Sequence, residues 1–420
     1  MRGVAKQRWG GTILYMAKIE NAPESEKSVD STEVVKRDGV VPGSLRRVSI
    51  LVALITSLLF VGAGGQVVAL AVLLSLILLH EAGHFFVAKV CKMRVEEFFV
   101  GFGPPVWSIR KKGIEYGVKS IPLGGYVKIT GMTALDKDHP QGYQQASRIR
   151  KIAVVAAGPA TNFLIALLVG FATLFMVGLP TATQVVDKVD PRLGAAAAGI
   201  RPGDKVVAIN GKMIDEWNDV GETIDMLGAE TTVDVVVERG GLRYQYPVQI
   251  LRDAGLLRIG VTAETEYVTL PFKDSAFGSV EAVGGVAYSS LQGVVSLAKG
   301  LGGLVSGLFG AEVAPESRPL SPVGAVQIGA EVGGRSLFDA MQLIMVYSTF
   351  LAVFNLLPIL PLDGGRITVV LYETVASAVR RKKVEVSQAA MTRASTAFTL
   401  FLLGVGLIAL ILDLTQPVLQ

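Results

Sequence analysis

Hydrophobic positions in this chain gather into long blocks, too continuous to be one face of a surface helix. The first runs from Val48 to Val90, broken only by GAGGQ at Gly62–Gln66; others cover Ile152–Leu179, Leu337 to about Leu360, and Thr396–Leu412. A helix crosses bilayer hydrocarbon with about 20 apolar residues. The pattern therefore predicts membrane helices over 67–93, 148–180, 337–366 and 396–414. A shorter apolar segment over 48–66 precedes them, with the h-region of a late signal peptide as its alternative reading. Between the blocks the period changes. Ile114, Tyr116 and Val118 alternate with Glu115, Gly117 and Lys119, as in a half-buried strand. VWSIRKKGIEYGVKS then reads as a hairpin turning at Lys111–Gly113, and IPLGGYVKI as a further strand bent at Gly124 and Gly125. The region 94–147 is thus a β-containing loop, and 181–266 is a β-rich domain with a short helix in WNDVGETIDMLG. Residues 267–336 are mildly apolar and glycine-rich. Glu281 and Lys299 argue against a span there, so interfacial amphipathic helices and a linker are expected, with a sixth membrane segment as the alternative. Residues 367–395 form a polar loop. Residues 1–47, with ENAPESEKSVDSTE, carry no core pattern and read as a disordered tail.

Composition supports this architecture. Half the residues are hydrophobic and 18% are charged, against about a quarter in an average soluble domain. The fold class expected is a polytopic α-helical membrane protein with four to five transmembrane helices, three of them forming the core, and an inserted β-rich domain. A single cysteine rules out a disulfide framework or a cysteine metal cluster. The net charge is +4, but the basic residues flank the apolar blocks. They read as topology signals, with no nucleic-acid partner. Twelve Lys/Arg against five Asp/Glu between Lys89 and Lys151 place that loop on the cytoplasmic side, as do RRKK at Arg380–Lys383 and the pair Arg46–Arg47. Thr181–Glu266, with nine Lys/Arg and fourteen Asp/Glu, falls outside.

The chemistry lies inside the second half of the first block. LILLHEAGHFFVAKV holds two of the chain's three histidines, His80 and His84, with Glu81 between them. Positions i and i+4 share a helix face. The two imidazoles can therefore hold one zinc ion, with Glu81 beside them to activate water. Ionisable groups in an apolar helix usually mark function. Hydrolytic zinc commonly takes three protein ligands and leaves a position open. His139, in the polar LDKDHPQG, reads as solvated. Asp363 in NLLPILPLDGGR is the stronger third ligand, because its segment approaches the cytoplasmic side as the histidine helix does. Pro358 and Pro361 also suit a plain helix-ending turn there. A membrane scaffold with a vestigial metal site would not need Glu81, and a metal transporter would spread its ionisable groups along a path.

HEAGH together with NLLPILPLDGG resembles the site-2 family of intramembrane zinc metalloproteases, in its bacterial sigma-factor-regulating branch with a single PDZ domain. VGFGPPVW, EYGVKSIPLGGYVKITGM and AAGPATNF extend the similarity over roughly Val67–Leu412, while the N-terminal tail and the extra apolar segment depart from it. The resemblance implies one zinc per chain on His80, His84 and Asp363, with Glu81 as general base. It implies substrate contact for Asn355 and Asn162, and a membrane-re-entrant β element at whose bend Gly124 and Gly125 would meet substrate. It also implies residence in the bacterial cytoplasmic membrane with the active site near the cytoplasmic side. Expected partners are single-pass membrane proteins already trimmed by an extracytoplasmic protease, such as anti-sigma factors or signal-peptide remnants. GIRPGDKVVAINGKMI resembles a PDZ signature, so an extracytoplasmic PDZ domain over 181–266 would either bind a peptide or exclude large substrates.

Overall fold

A computed structural model of the chain describes residues 39–40, 64–132, 138–228, 231–253, 255–307 and 322–415. Residues 48–63 of the apolar segment expected over 48–66 lie outside these residues, as does all of the 1–47 tail except 39–40. Helix α1 spans Gly64–Val90 and is apolar on every side, with Lys89 as the only basic residue of its last turn. A helix of that kind needs lipid or protein all round it.

The chain then enters a sheet. β1 is Gly39–Val40, β2 is Val95–Lys111 and β3 is Ile114–Ile129. Residues 97–100 of β2 pair with both Glu115–Val118 and Gly125–Lys128, so β3 doubles back across them. The bend passes through Gly124, whose φ of 101° suits glycine. The second half of β2 pairs with the first half of β3, and β1 adds itself at Ile109 and Arg110. The segment Gly125–Ile129 is left as an edge. Ala88, Met93, Val95, Ile114, Ile129, Val154 and Val155 form a buried cluster that fixes this sheet against the helices.

Helix α2 covers Arg148–Ala172 and continues as a wider turn through Thr173–Val177. Next comes the β-rich domain: β4 (Leu179–Val189), α3 (Gly194–Ala198), β5 (Lys205–Ile209), β6 (Lys212–Met213), α4 (Trp217–Leu227), β7 (Thr232–Arg239), β8 (Leu242–Gln249), β9 (Leu251–Asp253), β10 (Leu256–Arg258) and β11 (Val261–Val268). Its main sheet runs β11-β4-β5-β7-β8, with antiparallel neighbours. Val233, Val235 and Val237 of β7 point inward and are fully buried, as the two-residue strand period requires.

Helix α5 is one 36-residue helix, Phe272–Gly307, where several interfacial amphipathic helices and a linker were expected. Val283 packs with Ala166 of α2, and small residues allow the approach: a Cβ on Gly170 would stand 3.4 Å from the Ser279 Cβ. As Glu281 and Lys299 led one to expect, α5 is not among the stretches apolar enough to cross a membrane in the described residues. α6 (Pro322–Gly333), α7 (Leu337–Asn355), α8 (Asp363–Arg380) and α9 (Gln388–Thr415) complete the fold. Among the described residues, four stretches are long and apolar enough to cross a membrane: Gly65–Val90, Arg148–Val177, Leu337–Asn355 and Gln388–Ile411.

Candidate metal centre

The centre is built where α1, α2 and the start of α8 meet. His80 and His84 stand one helical turn apart, with ring centroids 4.8 Å apart and planes nearly perpendicular. Their Nε2 atoms are 3.2 Å apart. Asp363 Oδ2 lies 3.1 Å from His80 Nε2 and 3.2 Å from His84 Nε2. The three donors form an almost equilateral triangle. Ligands about 2.0–2.1 Å from a tetrahedral zinc lie about 3.3 Å from one another, so this donor set fits zinc in both chemistry and spacing. Both histidines are buried, at 6% and 8% exposure.

Asp363 arrives by a fold-back. Pro358 and Pro361 lack the N–H groups that a continuing α7 would need. Leu356–Leu362 turns instead through short backbone bonds, including Ile359 N–H to Leu357 O at 2.7 Å. α8 then starts directly against that turn. A Cβ on Gly365 would stand 2.5 Å from the Ile359 carbonyl carbon, and one on Gly364 would overlap the Leu356 backbone. The two glycines let the first turn of α8 close on the loop and hold Asp363 over the imidazoles.

α2 supplies the surround. His84 Nδ1–H donates to the Val154 carbonyl at 2.7 Å, which leaves its Nε2 lone pair facing the centre. Pro159, lacking an N–H, interrupts the α2 ladder close to this carbonyl. Asn162 is fully buried, and its amide lies 3.2 Å from His80 Nδ1. When His80 binds a metal through Nε2, its Nδ1 carries the proton. The Asn162 amide must then present Oδ1, the atom that is otherwise buried without a partner. Asn162 therefore sits behind a histidine and not on an open substrate surface. Gly158 is the second requirement on α2. A Cβ there would stand 2.6 Å from His80 Nε2 and closer still to His84 Nε2.

Glu81 points to the other side of the pair. The Val127 backbone amide faces its carboxylate, and a Cβ on Gly125 would stand 3.5 Å from Glu81 Cγ. The edge segment of β3 thus runs beside the carboxylate. Gly125 belongs to this neighbourhood, and Gly124 sits at the bend before it. Asn355 ends α7 and donates to the Leu351 carbonyl at 3.0 Å, leaving its Oδ1 for another group. His139 lies apart, its Nε2 against Arg94 Nη1 at 3.3 Å. Sequence reasoning did not find Val154, whose contribution is a backbone atom, or the specific part of Gly158. The only signal for Gly158 was its place in AAGPATNF.

A model of peptidase family M50 matches residues 68–402. The zinc metalloprotease Rip1 of Mycobacterium tuberculosis is 30% identical over 395 residues, covering 83% of this chain and 96% of the relative. Its counterpart in Mycolicibacterium smegmatis is 31% identical over 360 residues, covering 76% and 88%. The PDZ domain of an SdrC-like protein from Listeria monocytogenes is 21% identical and covers 21% of this chain and 93% of that one, at a TM-score of 0.18.

Proposed function

The chain belongs to peptidase family M50 and is a zinc metalloprotease of the site-2 type, and from that premise we propose that it hydrolyses peptide bonds within the transmembrane segments of single-pass membrane proteins. The observation that carries the reading is the triangle of His80, His84 and Asp363 donors with Glu81 beside it: both histidines and Glu81 stand on a helix apolar enough to span a membrane, and the start of α8 brings Asp363 to them. These three side chains would hold one zinc per chain, which would supply a Lewis acid for water and for the scissile carbonyl. Glu81 takes the proton from the attacking water and returns it to the leaving amine. Asn162 fixes the His80 ring and the Val154 carbonyl fixes that of His84, so both nitrogens are aimed before substrate arrives. A substrate helix hides its carbonyls and has to unwind. The Gly125–Ile129 edge beside Glu81 receives the unwound stretch as an added strand, and the free Oδ1 of Asn355 accepts from its backbone.

Sidedness and partners follow the charge distribution. The basic loop after α1 and RRKK at Arg380–Lys383 lie at the cytoplasmic face of a bacterial cytoplasmic membrane, and the acidic β-rich domain lies outside. That domain is a PDZ domain. Its β11 is an edge strand, and a cavity of about 690 Å³ between it and α4 is lined by Trp217, Val220, Ile224 and Leu257. An extended peptide tail fits such an edge. The substrates are single-pass proteins already shortened outside, such as anti-sigma factors or signal-peptide remnants.

The Glu81→Gln variant tests the reading. It retains zinc by metal analysis, and its cleavage of a reconstituted single-pass substrate falls by about 10²- to 10⁴-fold. Turnover at the wild-type rate with zinc bound would remove Glu81 from the chemistry.

A further inference from the structure

A second polar cavity lies apart from the zinc donors. It encloses about 510 Å³ between the Tyr143–Gln145 turn, the first turn of α2, one face of α8 and the segment leading into α9. Its acidic groups are Glu373, Glu385 and Asp138, and the Glu373 charge acts on Lys151 within the cavity. Glu373 accepts from the Val386 N–H at 2.8 Å, Glu385 pairs with Lys383 at 2.6 Å, and Asp138 is exposed. Two of its cations make no direct ion pair among the described residues. Arg366 has no ion-pair or side-chain hydrogen-bond partner among the described residues. Lys151 donates only to Gln144 Oε1, at 3.3 Å, and sits 5.6 Å from the Tyr143 ring centroid. Tyr143 is 5% exposed and its hydroxyl is buried without a hydrogen-bond partner. Burial pushes that hydroxyl up to about 12, so it remains a proton donor at neutral pH. A buried hydroxyl normally has a partner.

The geometry points to a site for a phosphate-bearing anion held by Arg366, Lys151 and the Tyr143 hydroxyl, and its position makes an anionic phospholipid headgroup the source. Three donors from three separate elements suit a group with several equivalent oxygens, and guanidinium binds phosphate in bidentate fashion. The volume exceeds what a bare phosphate needs. Lys151 lies in the first turn of one candidate membrane span, and Gln388 and Met391 in the first turn of another. The cavity thus opens where two spans emerge, at headgroup level. Basic pockets between membrane helices bind lipid headgroups in this way. Arg366 also stands one helical turn from Asp363 on α8, so a bound headgroup would anchor the helix that presents this carboxylate.

The test uses the full chain, purified in detergent and exchanged into bilayers of phosphatidylcholine with a minority of phosphatidylglycerol. Native mass spectrometry then counts the lipids retained. Wild type is expected to keep one phosphatidylglycerol in preference to phosphatidylcholine. The Lys151→Ala/Arg366→Ala variant is expected to lose that preference by at least tenfold, and Tyr143→Phe to weaken it less. Where the double variant is not monodisperse, Arg366→Gln alone is read in the same way. Equal retention by wild type and variants overturns the site. Displacement of the lipid by millimolar glycerol phosphate overturns the lipid source in favour of a soluble anion. The readout is binding, so failure here leaves the peptidase reading intact.

Discussion

Residue 158 has no room for a side chain, because two imidazoles occupy the space where its Cβ would lie. Gly158→Ala must push α2 away from α1 or rotate His80 and His84 out of the donor triangle. The expected result is a folded protein with zinc well below one per chain by metal analysis; full zinc and full activity would mean that the helices stand farther apart than described. Asn162 makes a softer demand. Asn162→Ala removes the group that orients His80, and loss of such an outer partner typically weakens metal binding about 10- to 100-fold. Activity should then return at raised free zinc, whereas Asn162→Asp, which keeps an acceptor, should need little extra. A merely structural asparagine would not show zinc rescue. His80, Glu81 and His84 were readable because a helix repeats every 3.6 residues, and the spacing alone puts both imidazoles on one face. Asp363 was readable only through its place after an apolar block. The partners of the two rings were not. A carbonyl such as Val154 O has no residue signature, and the requirement for glycine at 158 exists only once two helices touch.

Among the elements, the β-rich domain shows how a motif residue can serve folding. Asp204 of GIRPGDK is 1% exposed and bound by Arg239 of VVVERGG, through Nε at 2.6 Å and Nη2 at 2.8 Å. Arg239 also donates to the Gly199 carbonyl at 3.1 Å and stacks near Tyr244 and Tyr246. The pair ties β5 to the end of β7 across 35 residues. Burial raises the Asp204 carboxyl, but Arg239 and the Arg201 N–H outweigh it and hold the group below the ordinary carboxylate range. A carboxylate with a lowered folded pKa adds stability above its unfolded value of about 3.9, and that stability is lost as pH falls through the folded value. For the excised domain Leu179–Val268, whose core closes within itself, the thermal midpoint should therefore fall as pH drops below about 4. Asp204→Asn should flatten that acid limb. Arg239→Ala, which leaves a buried carboxylate unpaired, should lower the midpoint at pH 7 by on the order of 10 °C. An unchanged midpoint would show that the carboxylate finds water instead. The β-rich character of this domain was legible in the sequence, and so was helix in the α5 region; the single length of α5 was not, since the stripe that seats it is completed only by contact with α2 and α7.

For the whole molecule, the question is how the β-rich domain governs the centre formed by α1, α2 and α8. Two roles compete: a groove that captures a tail, and a bulk that turns large partners away. Gly221 separates them. It lines the cavity beside β11, and a Cβ added there would meet no atom within 4 Å. Gly221→Phe should therefore fill the groove from within α4 without disturbing the domain core, while the domain's outer dimensions stay the same. If the groove captures an extended tail, the variant should bind such a peptide at least tenfold more weakly, because the aromatic ring occupies the apolar pocket of the added strand. Cleavage of a substrate with a free outer tail should then slow, while a substrate trimmed to its membrane segment is cut as before. A domain that acts only by size predicts equal rates for both substrates in wild type and variant. Comparing the two rates in reconstituted membranes decides between them without altering the zinc centre. The capture role is the expected outcome, because among the described residues β11 is an edge strand beside an apolar cavity, which a spacer would not need.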